Sequence, residues 1–148
     1  MSTNSLTDQP TPVPTNQALE STAVRNMSEL AGRLFLSALF LVSGLGKIAA
    51  YSGTVAYMSA LGVSGALLPL VIVTEIAGAI AIVVGWNTRL VAFLLAGYSL
   101  LAALLFHRNF GDQIQMIMFL KNVSIAGGLL LLVANGPGPL SLDRHGAK

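Results

Sequence analysis

Residues 67–84 read LLPLVIVTEIAGAIAIVV, a run long and apolar enough to cross a bilayer core, which takes about 20 residues at roughly 1.5 Å each. A single carboxylate interrupts it. Glu75 has about eight apolar or small residues on either side, so its side chain falls near the bilayer midplane, where an ionised group costs at least ~2.5 kcal/mol on insertion scales. Something else in the chain must compensate that cost, and the remaining sequence is read with the partner of Glu75 in view.

The whole chain suits a bilayer. Of its 148 residues 54% are hydrophobic and only 9% charged, with a mean hydropathy of +0.74, far below the roughly 25% charged content of soluble domains. This predicts an all-α integral membrane protein, a four-helix bundle. Its 8 basic and 6 acidic residues leave a net charge of +2 spread thinly along the chain, which makes no nucleic-acid surface. Cysteine is absent, so thiolate metal sites, iron–sulfur clusters and CxxC redox chemistry are excluded for this chain. No metal site is expected.

Residues 1–28 are rich in Ser, Thr, Pro, Asn and Gln and read as a disordered N-terminal tail. The first apolar run begins too late, and without a basic cluster before it, for a cleaved signal peptide. A transmembrane domain over 29–135 follows, with helices at about 30–50, 67–84, 90–106 and 115–134. In the first, Arg33, Ser37, Phe40, Gly44 and Lys47 share one face at helical spacing, a polar and small-residue stripe suited to other helices. YSGTVAYMSALGV at 51–63 is too short to span and carries boundary aromatics, which predicts a short interfacial helix. In the second span, Gly78 and the AGAIA alanines would admit a close neighbour, and Pro69 is tolerated in its first turn. Trp86 and Arg89 mark the turn that follows, as interfacial anchor and loop charge. The third span aligns Ala92, Ala96, Ser99 and Ala103 with His107 at its end, and the fourth aligns Lys121, Ser124 and Gly128, beside Asn122. Asn135-Gly-Pro-Gly-Pro stops the last helix, leaving residues 136–148 as a short cytoplasmic tail.

Four spans collect Arg25, Arg33, Arg89, Arg144 and Lys148 on one side, against Lys47 and Arg108 on the other. The positive-inside rule makes the first side, with both termini, cytoplasmic. Lys121 then lies about 8 Å, and Glu75 about 12 Å, from the outer face. A lysine side chain can close that gap, so a buried Glu75–Lys121 pair is expected. Glu75, Lys121, Lys47 and His107 would line an outward-facing polar pocket or proton relay, with Arg33, Asn122, Ser124 and Arg89 as supporting polar positions.

SGLGKI at 43–48, YMSALGV at 57–63, TEIAGAIAIVVGWNTR at 74–89, LLFHRNF at 104–110, FLKNVSIAGGLLLL at 119–132 and the closing GPGPLSLD together resemble the DoxX family of small bacterial inner-membrane proteins. Each motif alone is weak; their order and spacing across residues 30–143 are more specific. The resemblance implies a compact four-helix membrane protein, often labelled an oxidoreductase because relatives are associated with quinone-linked sulfur oxidation or with redox and thiol-stress complexes. Arg33, Lys47, Glu75, Arg89, His107, Lys121 and Asn122 match the family's polar pattern.

The residues themselves offer His107 near one interface and His145 in the tail, no facing pair for haem and no nucleotide-binding glycine pattern. Electron transfer would need a borrowed cofactor, a membrane quinone or a partner oxidoreductase subunit. Three functions stay open: a quinone-binding or redox-associated membrane subunit, a structural or assembly partner without ligand, and a small-solute permease. The last is disfavoured by small size and by the lack of an internal repeat. Homo-oligomerisation is left open.

Overall fold

The computed structural model describes residues 16–145, and within them the chain is all helix and turn. The order is α1 (Asn16–Ala49), α2 (Tyr51–Ala60), a 3₁₀ turn (Gly65–Leu67), α3 (Leu68–Val84), α4 (Thr88–Phe106), α5 (Gln113–Asn135) and a single turn α6 (Leu142–His145). Among the described residues four helical segments are long and apolar enough to cross a membrane, and the short α2 lies between the first two. Phenylalanine, leucine and isoleucine side chains stud the outer surface of these helices, among them Phe35, Phe93, Leu104, Ile117 and Leu131. In water such a surface would be unstable, and in lipid it is the solvated face.

Two boundaries differ from the sequence-based expectation. The tail expected over 1–28 is helical from Asn16 onward, as the first third of α1; its residues 1–15 lie outside the described residues. Residues 16–28 combine polar residues with helix formers such as Ala, Leu, Glu and Arg, and Arg25 and Glu29 add an i,i+4 ion pair at 3.9 Å. Because the apolar span supplies the helix nucleus, extension into this polar stretch adds one hydrogen bond per residue without a new nucleation step. At 34 residues α1 runs about 50 Å, well beyond a ~30 Å hydrocarbon core. The second is at the other end of the chain, where residues 137–143 of the expected short tail dock on Arg33 and the start of α4.

The helices form two close pairs. α1 lies along α3 and α5 along α4, and α3 against α4 joins them. Their shared core is Phe40, Ala79, Ile82, Ala92, Leu95, Ala96, Ala126 and Leu129, half of them alanine, so backbones approach and the larger side chains interlock. Gly44 shows how tight α1 and α3 are: a Cβ there would fall 2.7 Å from Ile76 Cγ1 and 3.3 Å from Glu75 Cβ. The stripes expected on the first and third spans point inward, with Arg33, Ser37 and Phe40 buried on α1 and Ala92, Ala96, Ser99 and Ala103 buried on α4. The stripe expected on the fourth span divides, with Gly128 set against Leu36 of α1 and Lys121 on a cavity wall but Ser124 turned away. Ser124 is exposed and returns its hydroxyl to Leu120 O at 2.9 Å, while Ala126 and Leu129 face the core.

Capping explains where the elements stop. α3 ends at Gly85, whose φ of +72° lets its N–H reach Ala81 O at 2.9 Å, a left-handed exit that favours glycine. α5 starts at Asp112, whose carboxylate accepts from the Ile114 N–H at 2.8 Å. α4 has no cap from its own preceding residue. Asp143 supplies it from the other end of the chain, accepting from the Asn87 and Thr88 N–H groups at 2.6 and 2.8 Å.

Candidate functional site

Glu75 is only 3% exposed, and its partner is Lys47. The Lys47 ammonium donates to both carboxylate oxygens at 2.9 Å and to Ser43 Oγ at 2.6 Å. Ser43 and Tyr98 donate their hydroxyls to Glu75 Oε1 at 3.1 and 2.7 Å. The network follows from the packing: Ser43 and Lys47 are one turn apart on the inward stripe of α1, the glycine between them lets α3 come close, and Tyr98 reaches in from α4. Burying an ionised carboxylate is tolerated when its lone pairs are met by charged and neutral donors at once.

The expected Glu75–Lys121 pair is therefore not formed. α5 packs on α4, not on α3, which leaves Lys121 one helix removed from the carboxylate, exposed, with its ammonium 3.3 Å from Met118 Sδ. Lys121 nevertheless lines the same cavity as Glu75 and Lys47. That cavity of ≈ 240 Å³ sits below α2, with Phe40, Tyr57, Tyr98 and Phe106 as aromatic wall and Glu75, Lys47, His107, Lys121 and Asn122 as polar lining. By helical rise Glu75, Tyr98 and Lys121 lie at similar depth, about 10–12 Å from the α2 end of their helices. α2 is seated on this end by buried Met58 and by the stacking of Tyr57 on Phe106, ring centroids 5.9 Å apart. His107, at the end of α4, has Nδ1 2.9 Å from Gln115 Oε1.

The supporting positions divide. Asn122 lines the cavity, with its amide donating to Met118 O at 2.9 Å. Ser124 and Arg89 do not line it. Arg33 belongs to the opposite end of the bundle, where it is 2% exposed and donates from Nε to Ile82 O at 3.0 Å, from Nη1 to Pro137 O and Leu140 O at 2.7 Å each, and from Nη2 to Val83 O. It satisfies carbonyls at the end of α3 and holds the Gly-Pro-Gly-Pro segment against it. Beside it, burial pushes the Asp143 carboxyl up, but the N–H groups of Thr88 and Asn87 and the nearby Arg33 charge outweigh this and hold it below the ordinary carboxylate value.

Sequence reasoning missed Tyr98 and Ser43. A signal existed for each: Tyr98 is the sole tyrosine inside its apolar span, and Ser43 stands four residues before Lys47.

An α-helical membrane protein with four candidate spans, an ion pair in its interior and a polar cavity near one end is the class these features define. A family model described as DoxX matches residues 28–108. Inner membrane protein YqjF of Escherichia coli (strain K12) is 46% identical over 121 residues, 82% of this chain and 93% of that protein. Inner membrane protein YphA of the same organism is 41% identical over 130 residues, 83% of this chain and 93% of that protein. The chain belongs to the DoxX family and is a multi-pass protein of the bacterial inner membrane. No solved structure gives a significant match.

Proposed function

We propose that this protein is a redox-associated subunit whose cavity below α2 holds the ring of a membrane quinone. The observation that carries this reading is the cavity itself: ≈ 240 Å³, walled by four aromatic rings, with polar groups at its base. A flat aromatic headgroup suits such walls, and a ring with two oxygens needs a few placed hydrogen-bonding groups in an otherwise apolar pocket. When bound, a quinone supplies the electron and proton carriage that this chain lacks. The chain's own residues bind and orient the ring and exclude lipid from it.

The electron source on this reading is a partner oxidoreductase. Both termini lie in the cytoplasm, because Arg25, Arg33, Arg89 and Arg144 then share the cytoplasmic side, and the cavity sits in the outer half of the membrane. A second reading, an assembly protein without ligand, draws on the closure of the Lys47–Glu75 network, which spends its hydrogen bonds internally. Mass spectrometry of small molecules extracted from gently solubilised protein separates the two. Quinone carried in roughly stoichiometric amount supports the first; protein that is empty and refuses added quinone sinks it and leaves the second.

A further inference from the structure

The cavity holds two kinds of polar group, and only one kind has hydrogen bonds left to give. All three protons of the Lys47 ammonium are engaged, by Ser43 Oγ and the two Glu75 oxygens, and the Ser43 and Tyr98 hydroxyl protons are directed at Glu75. Thr54 donates to Ala50 O at 2.9 Å. These donors form a finished wall.

Lys121 is different. Among the described residues its single hydrogen-bond contact is a thioether, a weak acceptor, so two of its N–H groups have no partner there. Glu75, the sole carboxylate on the cavity lining, is already neutralised by Lys47. The ammonium therefore leaves the cavity one positive charge in excess at about 12 Å from the start of α5, a depth where an uncompensated charge is costly. His107 complements it: its Nδ1 lies 2.9 Å from Gln115 Oε1, and the tautomer that donates there leaves Nε2 as an acceptor. Among the described residues the capacity left on the cavity lining is the neutral amide of Asn122 and hydroxyl of Tyr57, an acceptor on His107 at the end of α4, and one cationic donor, Lys121 on α5.

We infer that Lys121 and His107 are the residues that recognise the ligand, with Lys121 donating to a ring oxygen and His107 accepting from a ring hydroxyl. This deepens the quinone reading and rests on it. It assigns the ligand's class as a ring with oxygens at two positions, one an acceptor in every redox state and one able to present a hydroxyl when reduced.

The test uses the full chain in detergent or nanodiscs and a benzoquinone with a decyl tail as probe, with binding measured by calorimetry and by the amount retained on desalting. Loss of a charge-assisted hydrogen bond weakens binding about tenfold or more. Lys121→Met is expected to show that loss for both the oxidised and the reduced probe, and Lys121→Arg to restore most of it. His107→Phe is expected to weaken the reduced probe more than the oxidised one. Thermal midpoints should not fall below wild type, since Lys121 makes no ion pair among the described residues and its only hydrogen-bond contact there is a thioether. If wild-type protein binds the probe and Lys121→Met binds it equally well, the ammonium merely snorkels to the interface and the inference is overturned while the quinone reading stands. If wild-type protein binds neither form, both fall.

Discussion

At the scale of single residues, Glu75 illustrates how a membrane interior accepts a charge. Its carboxylate takes hydrogen bonds from one ammonium and two hydroxyls on three different side chains, so neither oxygen is left facing hydrocarbon. Removing one partner of such a pair is more damaging than removing both, because a lone buried charge has no compensation. Glu75→Leu is expected to lower stability by about 3 kcal/mol, and Lys47→Met by a similar amount, whereas the double variant should recover a large part of the loss. Thermal or denaturant unfolding of the four proteins in one detergent measures this, and additive losses in the double variant would show that the pair is not coupled.

Elements in this bundle are finished by residues far away in the chain. α3 ends on Gly85 with its last carbonyls met by Arg33 of α1, and α4 begins with its first N–H groups met by Asp143 of α6. In return the Asp143 N–H donates to Gly85 O at 2.8 Å. The turn between two spans is thereby bolted to the segment after the last span, at a level where water is near and loops would otherwise fray. A carboxylate whose native pKa lies below its unfolded value stabilises the docked state above the unfolded value, and that contribution is lost as pH falls through the native one. Asp143 is of this kind. Acidification below the ordinary carboxylate range should therefore release residues 136–143, seen as faster hydrogen exchange there. Asp143→Asn should exchange faster already at neutral pH and lose most of the pH dependence; an unchanged acid response in that variant would assign the effect to another group.

Taken whole, the molecule has one tied end and one hollow end. Arg33 and Asp143 close the end at which α3 stops and α4 begins, and the cavity occupies the end beneath α2. α1 and α5 touch sparingly, where Gly128 packs against Leu36, and toward α2 the space between them is part of the cavity, with Lys47 on one side and Lys121 on the other. The proposed orientation is open to direct test because the chain has no cysteine. A cysteine introduced at exposed Asn109 should react with an impermeant maleimide from outside intact spheroplasts, and one at exposed Arg144 only after lysis. The reverse pattern would place the cavity on the cytoplasmic side.

Much of this architecture was legible along the chain. Spans, the inward stripes of the first and third, and the short α2 between the first two follow from apolar length and 3.6-residue spacing, which depend on neighbours a few positions away. Glu75 stood out for the same reason, as the single charge in an apolar run. The choice of Lys47 over Lys121 as its partner did not, because depth in a membrane can be counted from sequence while the order of helices around a bundle cannot. Both lysines lie within reach by depth; α1 rather than α5 packs on α3, with Gly44 of α1 set against Ile76 and Glu75, while Gly78 of α3 receives Leu95 of α4. Likewise, nothing local announces that Asp143 caps a helix that begins 55 residues earlier. Local pattern determined what each segment is; only the assembled bundle decided which side chains meet, since that depends on surfaces contributed by segments remote in sequence.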